Sequence, residues 1–404
     1  MNKEMKNILV LTSSFPQSLN TGKGGGGFVL ELSKRLSKYH NITVLAPALT
    51  NNKKPSRLGR LNVVYFNFLP PIDWIYNYFQ NGIFSAFRKS FLLLPFIISF
   101  MVVQLYKTLR LIKAGNIQVI HAHWIIPQGL IAVLVKTIFN IETLKIVVTS
   151  HGSDINHLNG TFGRYLKAFV LNNIDDYTVV SQELATSVKK QFNNYPNIHV
   201  VPMGIDTTHF RPDMKTNSII NDYQDKKYLL IFVGRLTKQK GITYLIQAMP
   251  EVLSKFPNAQ LLIIGDGELK ESLKQQVNSL SIQNDVDFLG YVPHQELSKY
   301  MASADMFIGP SISEGFGLVF AEAASSGTIV IGTKKPAIQD IIIDDKTGFL
   351  VQVASAKAIS KKVIYCIDNI RTDQFEKIRT QARKHVVGNF DWKIIAQKYK
   401  NIIT

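Results

Sequence analysis

The sequence predicts two doubly wound α/β domains, each built on a parallel sheet, facing each other across a cleft. Three observations predict it. The chain has 404 residues, too many for one hydrophobic core, so two domains of roughly 200 residues are expected. Short apolar runs alternate with helical stretches along the chain, the pattern of parallel sheets. Near the middle, residues 201–212 carry Pro202, Gly204 and Pro212 and read as a linker. The first domain is therefore expected over 1–205 and the second from 206.

In the first domain strands are expected at 7–11, 42–46, 119–122, 146–150, 177–180 and 199–201. The opening run is a strand rather than a signal peptide, because its apolar stretch is too short and has no cleavage-type end. After it comes TGKGGGGF at 21–28. Four consecutive glycines disfavour helix and strand; they suit either close approach of backbone N–H groups to a phosphate or a flexible surface loop. No GK[ST] follows, so it is not a P-loop.

Residues 90–106, SFLLLPFIISFMVVQLY, run uncharged between Arg88 and Lys89 on one side and Lys107, Arg110 and Lys113 on the other. The run is shorter than the roughly 20 residues of a spanning helix, and Pro95 interrupts it. It reads either as a buried core helix or as a helix lying in a membrane interface. HAHW at 121–124 and SHGSD at 150–154 each follow a strand. His151 is expected to face the cleft, where a neutral imidazole can hydrogen-bond a sugar hydroxyl or a carbonyl. His121 and His123 are expected to be satisfied structural histidines; an HxH pair without a third ligand does not make a zinc site.

In the second domain strands are expected at 229–233, 260–264, 286–289, 306–309 and 329–332. FVGRLTKQKG at 232–241 places Arg235 and Lys240 between a strand end and a helix start, where two cations can hold a diphosphate. LLIIGDGE at 261–268 puts Gly265 at a strand end, where backbone can approach a ligand. FLGYVP at 288–293 is a further strand-to-loop transition. SISEGFGLVFAEAASSG at 311–327 is the most informative stretch. Glu314 follows a buried strand and a helix is expected to begin at about Gly317, placing Glu322 about one and a half turns inside it. Ligands of open α/β sheets bind at that strand edge, and a helix start suits a phosphate. The plainer alternative is a strand–helix turn with two surface glutamates.

Composition narrows the function. Net charge is +17 and uneven: up to Ile205 there are 21 Lys and Arg against 8 Asp and Glu. A basic half suggests an anionic partner. Without a long basic run or a recognisable nucleic-acid motif, no nucleic-acid partner is expected. One cysteine, Cys366, excludes a disulfide framework and fits a reducing compartment.

In order along the chain, the glycine loop, SHGSD, VPMGID at 201–206, FVGRLTKQKG, GDGE, FLGYVP and the Glu314–Glu322 pair resemble the retaining nucleotide-sugar glycosyltransferases of family 4, which have the GT-B architecture. The resemblance spans about 7–399. It implies that Arg235 and Lys240 bind the donor diphosphate, and that Glu314 touches the sugar hydroxyls near the main chain of Phe316, Gly317 and Leu318. Glu322 would bind the ribose, Tyr291 and Val292 would meet the base through their backbone, and Gly265 would line the donor site. Gly26 and Gly27 would close on the diphosphate, with His151 near the sugar. The second domain would then end at 387, and a last helix, about 388–404, would return to the first.

The resemblance further implies transfer with retention, no metal and no cofactor, the nucleotide sugar being a substrate. A glycan or lipid-linked acceptor, an anionic membrane surface and a site at the cytoplasmic face of the cell membrane are expected, in polysaccharide or glycolipid synthesis. Two alternatives stay open: a non-catalytic GT-B nucleotide-binding partner, and a GT-B sugar-nucleotide epimerase or phosphorylase. One departure stands out. TKKPAIQD at 333–340 has Pro336 and Ala337 where many members carry two glycines, leaving Lys334 and Lys335 as extra cations.

Overall fold

The computed structural model describes residues 5–17, 26–49, 55–69, 94–156, 158–192, 195 and 197–404. Gly24 and Gly25, and residues 90–93 of the uncharged run, lie outside them. The chain divides into two compact units: Met1–Pro202 with Ile395–Thr404, and Met203–Ile394.

Among the described residues the first unit holds an eight-stranded sheet in the order β3-β4-β2-β1-β5-β6-β7-β8. Its strands are β1 Asn7–Leu11, β2 Asn41–Pro47, β3 Ser56–Leu58, β4 Leu61–Phe66, β5 Val119–His123, β6 Lys145–Ser150, β7 Asp176–Val179 and β8 Ile198–Val200. Every pairing is parallel except β3 with β4. β1 is central, with Leu9 opposite Thr43 on one side and Ile120 on the other. Its apolar run follows from burial on both faces. β3 and β4 were not expected. They form a hairpin across Gly59 and Arg60 at the sheet edge, where one strand is exposed and its apolar signal weak.

The helices of this unit are α1 Gly27–Leu36, α2 Leu94–Gly115, α3 Leu130–Ile138, α4 Ser153–Asn156, α5 Thr161–Asn172 and α6 Gln182–Gln191. α2 contains most of the uncharged run. Pro95 lies within the described helix and does not interrupt it. α2 is not a buried core helix. Phe100, Gln104 and Thr108 form a buried row, while Leu94, Ile98, Val102 and Tyr106, also four apart, are 44–58% exposed.

The second unit holds a six-stranded, all-parallel sheet in the order β11-β10-β9-β12-β13-β14. Its strands are β9 Tyr228–Val233, β10 Ala259–Ile264, β11 Val286–Gly290, β12 Met306–Gly309, β13 Ile329–Thr333 and β14 Phe349–Val351. The last, three residues at the edge, was too short to be read from its pattern. The helices are α7 Asn217–Asp222, α8 Ile242–Lys255, α9 Lys270–Ser279, α10 His294–Ser303, α11 Leu318–Ser325, α12 Pro336–Gln339, α13 Ala356–Asn369 and α14 Asp373–Phe390; α15, Trp392–Ile403, begins in this unit and from Ile395 belongs to the first.

Leu230, Leu261, Met306 and Ile331 from four adjacent strands join Leu245 and Met249 of α8 in one core. Each fully buried side chain of this kind contributes about 1.5–3 kcal/mol. The strand order reverses between β9 and β12, which is where doubly wound sheets open a crevice for ligands.

The expected last helix at 388–404 differs in extent. α14 runs on to Phe390, and α15 begins at Trp392. Asp391 between them is extended because it bridges to Ile205 and its carboxylate accepts the Thr207 hydroxyl.

Candidate functional site

The second unit assembles its site at the switch point. Arg235 is exposed in the loop after β9, and Lys240 ends a short 3-10 turn (Lys238–Lys240) just before α8. Glu314 lies in the loop after β12. The two loops are stitched by the Ile312 N–H, which donates to the Gln239 carbonyl at 2.9 Å. This brings Lys240 Nζ to 2.6 and 2.7 Å from the two carboxylate oxygens of Glu314. The Glu314 side chain is only 7% exposed and that of Lys240 18%. The turn after Glu314 ends at Gly317, which caps α11 with no side-chain hydrogen bond, and Leu318 is the first helical residue. The first N–H groups of α11 therefore have no capping side chain, next to a lysine and beneath a carboxylate. Phe316 is buried, its ring 5.6 Å from that of Phe390.

Gly265 sits at the end of β10 with φ 137°, and a Cβ there would stand 1.9 Å from the Gly234 carbonyl oxygen. Only glycine lets the β9 and β10 ends approach so closely. Tyr291 and Val292 follow β11, with Tyr291 exposed. Glu322 lies inside α11, buried. Its Oε1 is 2.9 Å from His294 Nε2, at the start of α10. Sequence reasoning missed His294, although it directly follows FLGYVP. Lys335 caps α12 and Pro336 occupies its first turn, so the Pro–Ala departure builds a short helix start.

The first unit gathers its residues at the carboxyl ends of β5 and β6. His123 ends β5 and His151 follows β6; His123 Nδ1 lies 3.0 Å from His151 Nε2, with the rings stacked at 5.2 Å. Phe28 of α1 packs on His151 at 4.4 Å, which brings the end of the glycine loop to the histidines. Gly26 caps α1 at φ 78°, and a Cβ there would meet the Ser14 carbonyl oxygen at 2.0 Å, so glycine is required. Gly27 has open space where a Cβ would stand.

Trp124 takes φ 79°, costly for a bulky residue, with its N–H donating to the Thr149 carbonyl at 2.8 Å. Buried Asp154 holds the loops together. Its Oδ2 accepts from the Ile125 N–H at 2.9 Å and the Ser150 hydroxyl at 2.6 Å. Burial raises the Asp154 pKa against the lowering effect of these hydrogen bonds.

His121 and His123 are each hydrogen-bonded at one ring nitrogen, to Thr149 and His151; among the described residues the buried His121 Nδ1, His123 Nε2 and His151 Nδ1 have no hydrogen-bond partner. Burial pushes His121 down to about 3. Burial, then His121 and His151, hold His123 well below its ordinary range. Burial, then His121, push His151 down to about 3. All three rings are neutral at pH 7.

Two units, each built on a doubly wound and mainly parallel sheet with candidate residues at its strand ends, are the architecture of the GT-B fold. Comparison with known proteins agrees. Residues 213–385 match the family model for glycosyl transferases group 1, and residues 22–209 match the model for Glycosyltransferase Family 4. The chain belongs to the family 4 glycosyltransferases of GT-B fold.

Among its relatives is an uncharacterized glycosyltransferase of Methanocaldococcus jannaschii, 29% identical over 317 residues, 75% of this chain and 79% of that one. A GDP-mannose-dependent monoacylated alpha-(1-6)-phosphatidylinositol monomannoside mannosyltransferase of Corynebacterium glutamicum is 27% identical, over 69% of this chain and 75% of its own. An N-acetyl-alpha-D-glucosaminyl L-malate synthase of Bacillus anthracis is also 27% identical, over 73% and 77%. Among solved structures, sucrose-phosphate synthase from Thermosynechococcus elongatus aligns with TM-score 0.78 at 17% identity, covering 98% of both chains. Anabaena HepE in complex with UDP aligns at 0.73 and 18%, covering 98% of this chain and 99% of that one.

Proposed function

We propose that this glycosyltransferase moves a hexosyl group, with retention and without a metal, from a nucleoside-diphosphate sugar to a glycan or lipid-linked acceptor. The observation that carries the reading is the Lys240–Glu314 pair beside the uncapped start of α11. Breaking the bond between C1 and the diphosphate oxygen develops negative charge on the leaving group. Arg235, Lys240 and the helix N–H groups would stabilise it, usually a large term in catalysis. The acceptor oxygen would form its new bond to C1 on the face the diphosphate leaves, and its proton would pass to the departing phosphate oxygen. Glu314 would hold sugar hydroxyls and Glu322 the ribose. His151 would lie near the sugar, and Gly26 and Gly27 near the diphosphate. Tyr291 and Val292 would meet the base. UDP bound to HepE supports a nucleotide donor.

An acceptor carried by an anionic membrane at the cytoplasmic face fits the basic charge of the first half and the exposed apolar row of α2. Among the described residues α2 is the helix long and apolar enough to span a bilayer. Its buried row instead joins it to the sheet layer, which favours lying in the interface. The lipid acceptor in the name of the Corynebacterium relative supports the same reading.

The test is a thermal-shift panel of UDP-, GDP- and ADP-sugars, followed by product mass analysis. Binding stabilises the fold by mass action, so the donor class should appear as the largest shift, and transfer as a product one hexose heavier. No shift with any nucleotide sugar would refute the reading.

A further inference from the structure

The outer edge of the second sheet carries a groove with no role so far. β14 is the last strand of that sheet. It pairs with β13 alone, Gly332 opposite Leu350 and Thr333 opposite Val351. The Lys334 N–H donates to the Val351 carbonyl at 2.9 Å. Neighbouring residues of an edge strand direct their peptide groups to opposite sides, so Leu350 and Gln352 direct theirs away from the sheet. The Leu350 N–H is taken by Asp344 Oδ1 at 2.8 Å. Among the described residues the main chain of Gln352 makes no hydrogen bond.

Beside this open edge lies a groove of about 820 Å³, walled by residues 350–353 and by α13. Ala358, Lys361, Lys362 and Tyr365 line the helix side; their spacing of three and four residues puts them on one face. A free strand edge flanked by a helix suits an extended chain, which adds to the sheet as one more strand and turns alternate side chains toward the helix.

Charge selects the guest. Lys334, Lys361 and Lys362 all line the groove. Lys334 Nζ lies 3.9 Å from Asp344 and Lys362 Nζ 3.8 Å from Asp345, both beyond hydrogen-bond length. Lys362 lies instead over the rings of Phe349 at 4.8 Å and Tyr365 at 5.1 Å. Lysines that guard a sheet edge stand on the edge strand itself. Here Leu350, Val351 and Val353 of the edge are apolar, and the lysines stand on the helix and on the loop after β13. They can therefore pair with a guest strand without blocking it. A second copy of this chain laid on the same edge would bring its own lysines against these, which disfavours self-pairing.

We infer that this groove docks an extended acidic segment of another polypeptide, added beside β14 with its carboxylates on Lys334, Lys361 and Lys362. The site lies wholly within the second unit and stands independently of the donor-site reading.

The test selects random nine-residue peptides, displayed on phage, on the full chain. The expected winners alternate Asp or Glu with apolar residues. The leading peptide is then synthesised with a fluorescein label and its binding followed by anisotropy. Lys334→Glu with Lys361→Glu should weaken it at least about tenfold, since two surface ion pairs become repulsions. Both side chains are exposed, and urea unfolding of the variant confirms that it folds. High salt should weaken binding as well. N-methylation separates strand addition from mere charge attraction. Only one edge of an added strand meets β14, so methylating one alternate set of peptide amides should abolish binding and methylating the other set should be tolerated. Hydrogen exchange at residues 350–353 should slow when the peptide is bound.

Selection without acidic enrichment, or binding indifferent to the lysine reversals, overturns the inference. Equal tolerance of both methylated sets would mean that the groove attracts anions without adding a strand, and also overturns it. Displacement of the peptide by inorganic phosphate at equal ionic strength, or by phosphatidylglycerol vesicles, would reassign the lysines to a small anion or a lipid surface.

Discussion

The Lys240 ammonium sits between both carboxylate oxygens of Glu314, at 2.6 and 2.7 Å, across 74 residues of chain. The cation expected to meet the diphosphate is thus paired with the carboxylate expected to meet the sugar. Arg235→Ala and Lys240→Ala should each lower turnover at least about 100-fold, the scale for losing a charge-stabilising donor. Lys240→Met should also lower stability by about 1–3 kcal/mol, because it strands a nearly buried carboxylate, and adding Glu314→Gln should recover part of that. Steady-state kinetics and urea unfolding check both. Near-normal turnover in both single variants would dismiss the diphosphate site.

Glu314 and Glu322 should separate by role. Glu314 lies at the β12 end and Glu322 inside α11 against His294. Glu314→Ala should damage transfer more, while Glu322→Ala should mainly weaken nucleotide diphosphate binding, about tenfold for one lost charged hydrogen bond. Calorimetry on both variants decides. Unchanged nucleotide affinity in Glu322→Ala, with the greater loss of transfer there, would reverse the assignment.

Activity should persist in EDTA. Arg235, Lys240 and the α11 N–H groups supply the charge stabilisation a divalent cation otherwise gives. Loss that added magnesium or manganese alone restores would count against this.

Acid should destabilise the first unit through its histidines. Burial holds His121 at about 3 and His123 well below its usual range, whereas both titrate near 6.5 when unfolded. Below about pH 6.5 the unfolded chain takes up protons that the folded chain does not. The stabilisation is therefore fully present above that pH and is lost as pH falls toward 3. Each histidine contributes a slope of up to about 1.4 kcal/mol per pH unit. Asp154, raised by burial, works in the opposite sense at the acid end. Urea midpoints should fall from pH 7.5 to 5.0, and less so in a His121→Asn/His123→Asn variant. A midpoint that does not move over this range would contradict the neutral-histidine account. The ring of His151, held at about 3, should add no inflection to the activity profile between pH 5 and 8.

The protein should float with anionic liposomes and release only partly in high salt. Salt screens the basic contribution but not apolar insertion. Ile98→Ser with Val102→Ser should reduce binding without unfolding the domain, because both side chains are exposed. Protein that stays in solution under every condition would remove the support for a membrane-borne acceptor.

Most strands of the two sheets were legible because a strand buried on both faces must be a short apolar run, and patterns such as NILVL or YLLIFV have few other uses. The edge strand Ser56–Leu58 was not, because its exposure dilutes that signal, nor was Phe349–Val351, which is buried but only three residues long; Leu61–Phe66, the other arm of the first hairpin, was missed as well. Arg235, Lys240, Glu314 and Glu322 were legible as candidates, since glycine-marked strand ends announce where a helix starts. Their pairing was decided by tertiary structure: the reversal of strand order between β9 and β12 sets the loops carrying Lys240 and Glu314 side by side. The exposed row of α2 followed from which of its faces meets the sheet, a choice that an all-round apolar sequence leaves open. The partner of His151 is likewise a matter of register. β5 and β6 pair so that residues 28 apart stand within one hydrogen bond, and a low-dielectric setting then leaves each ring neutral with one nitrogen bare. The sequence by itself determined which chemical groups stand at the strand ends; only the packed sheets determined which of them touch, because hydrogen bonds and ion pairs reach about 3 Å and the chain alone does not specify distances between residues that far apart along it.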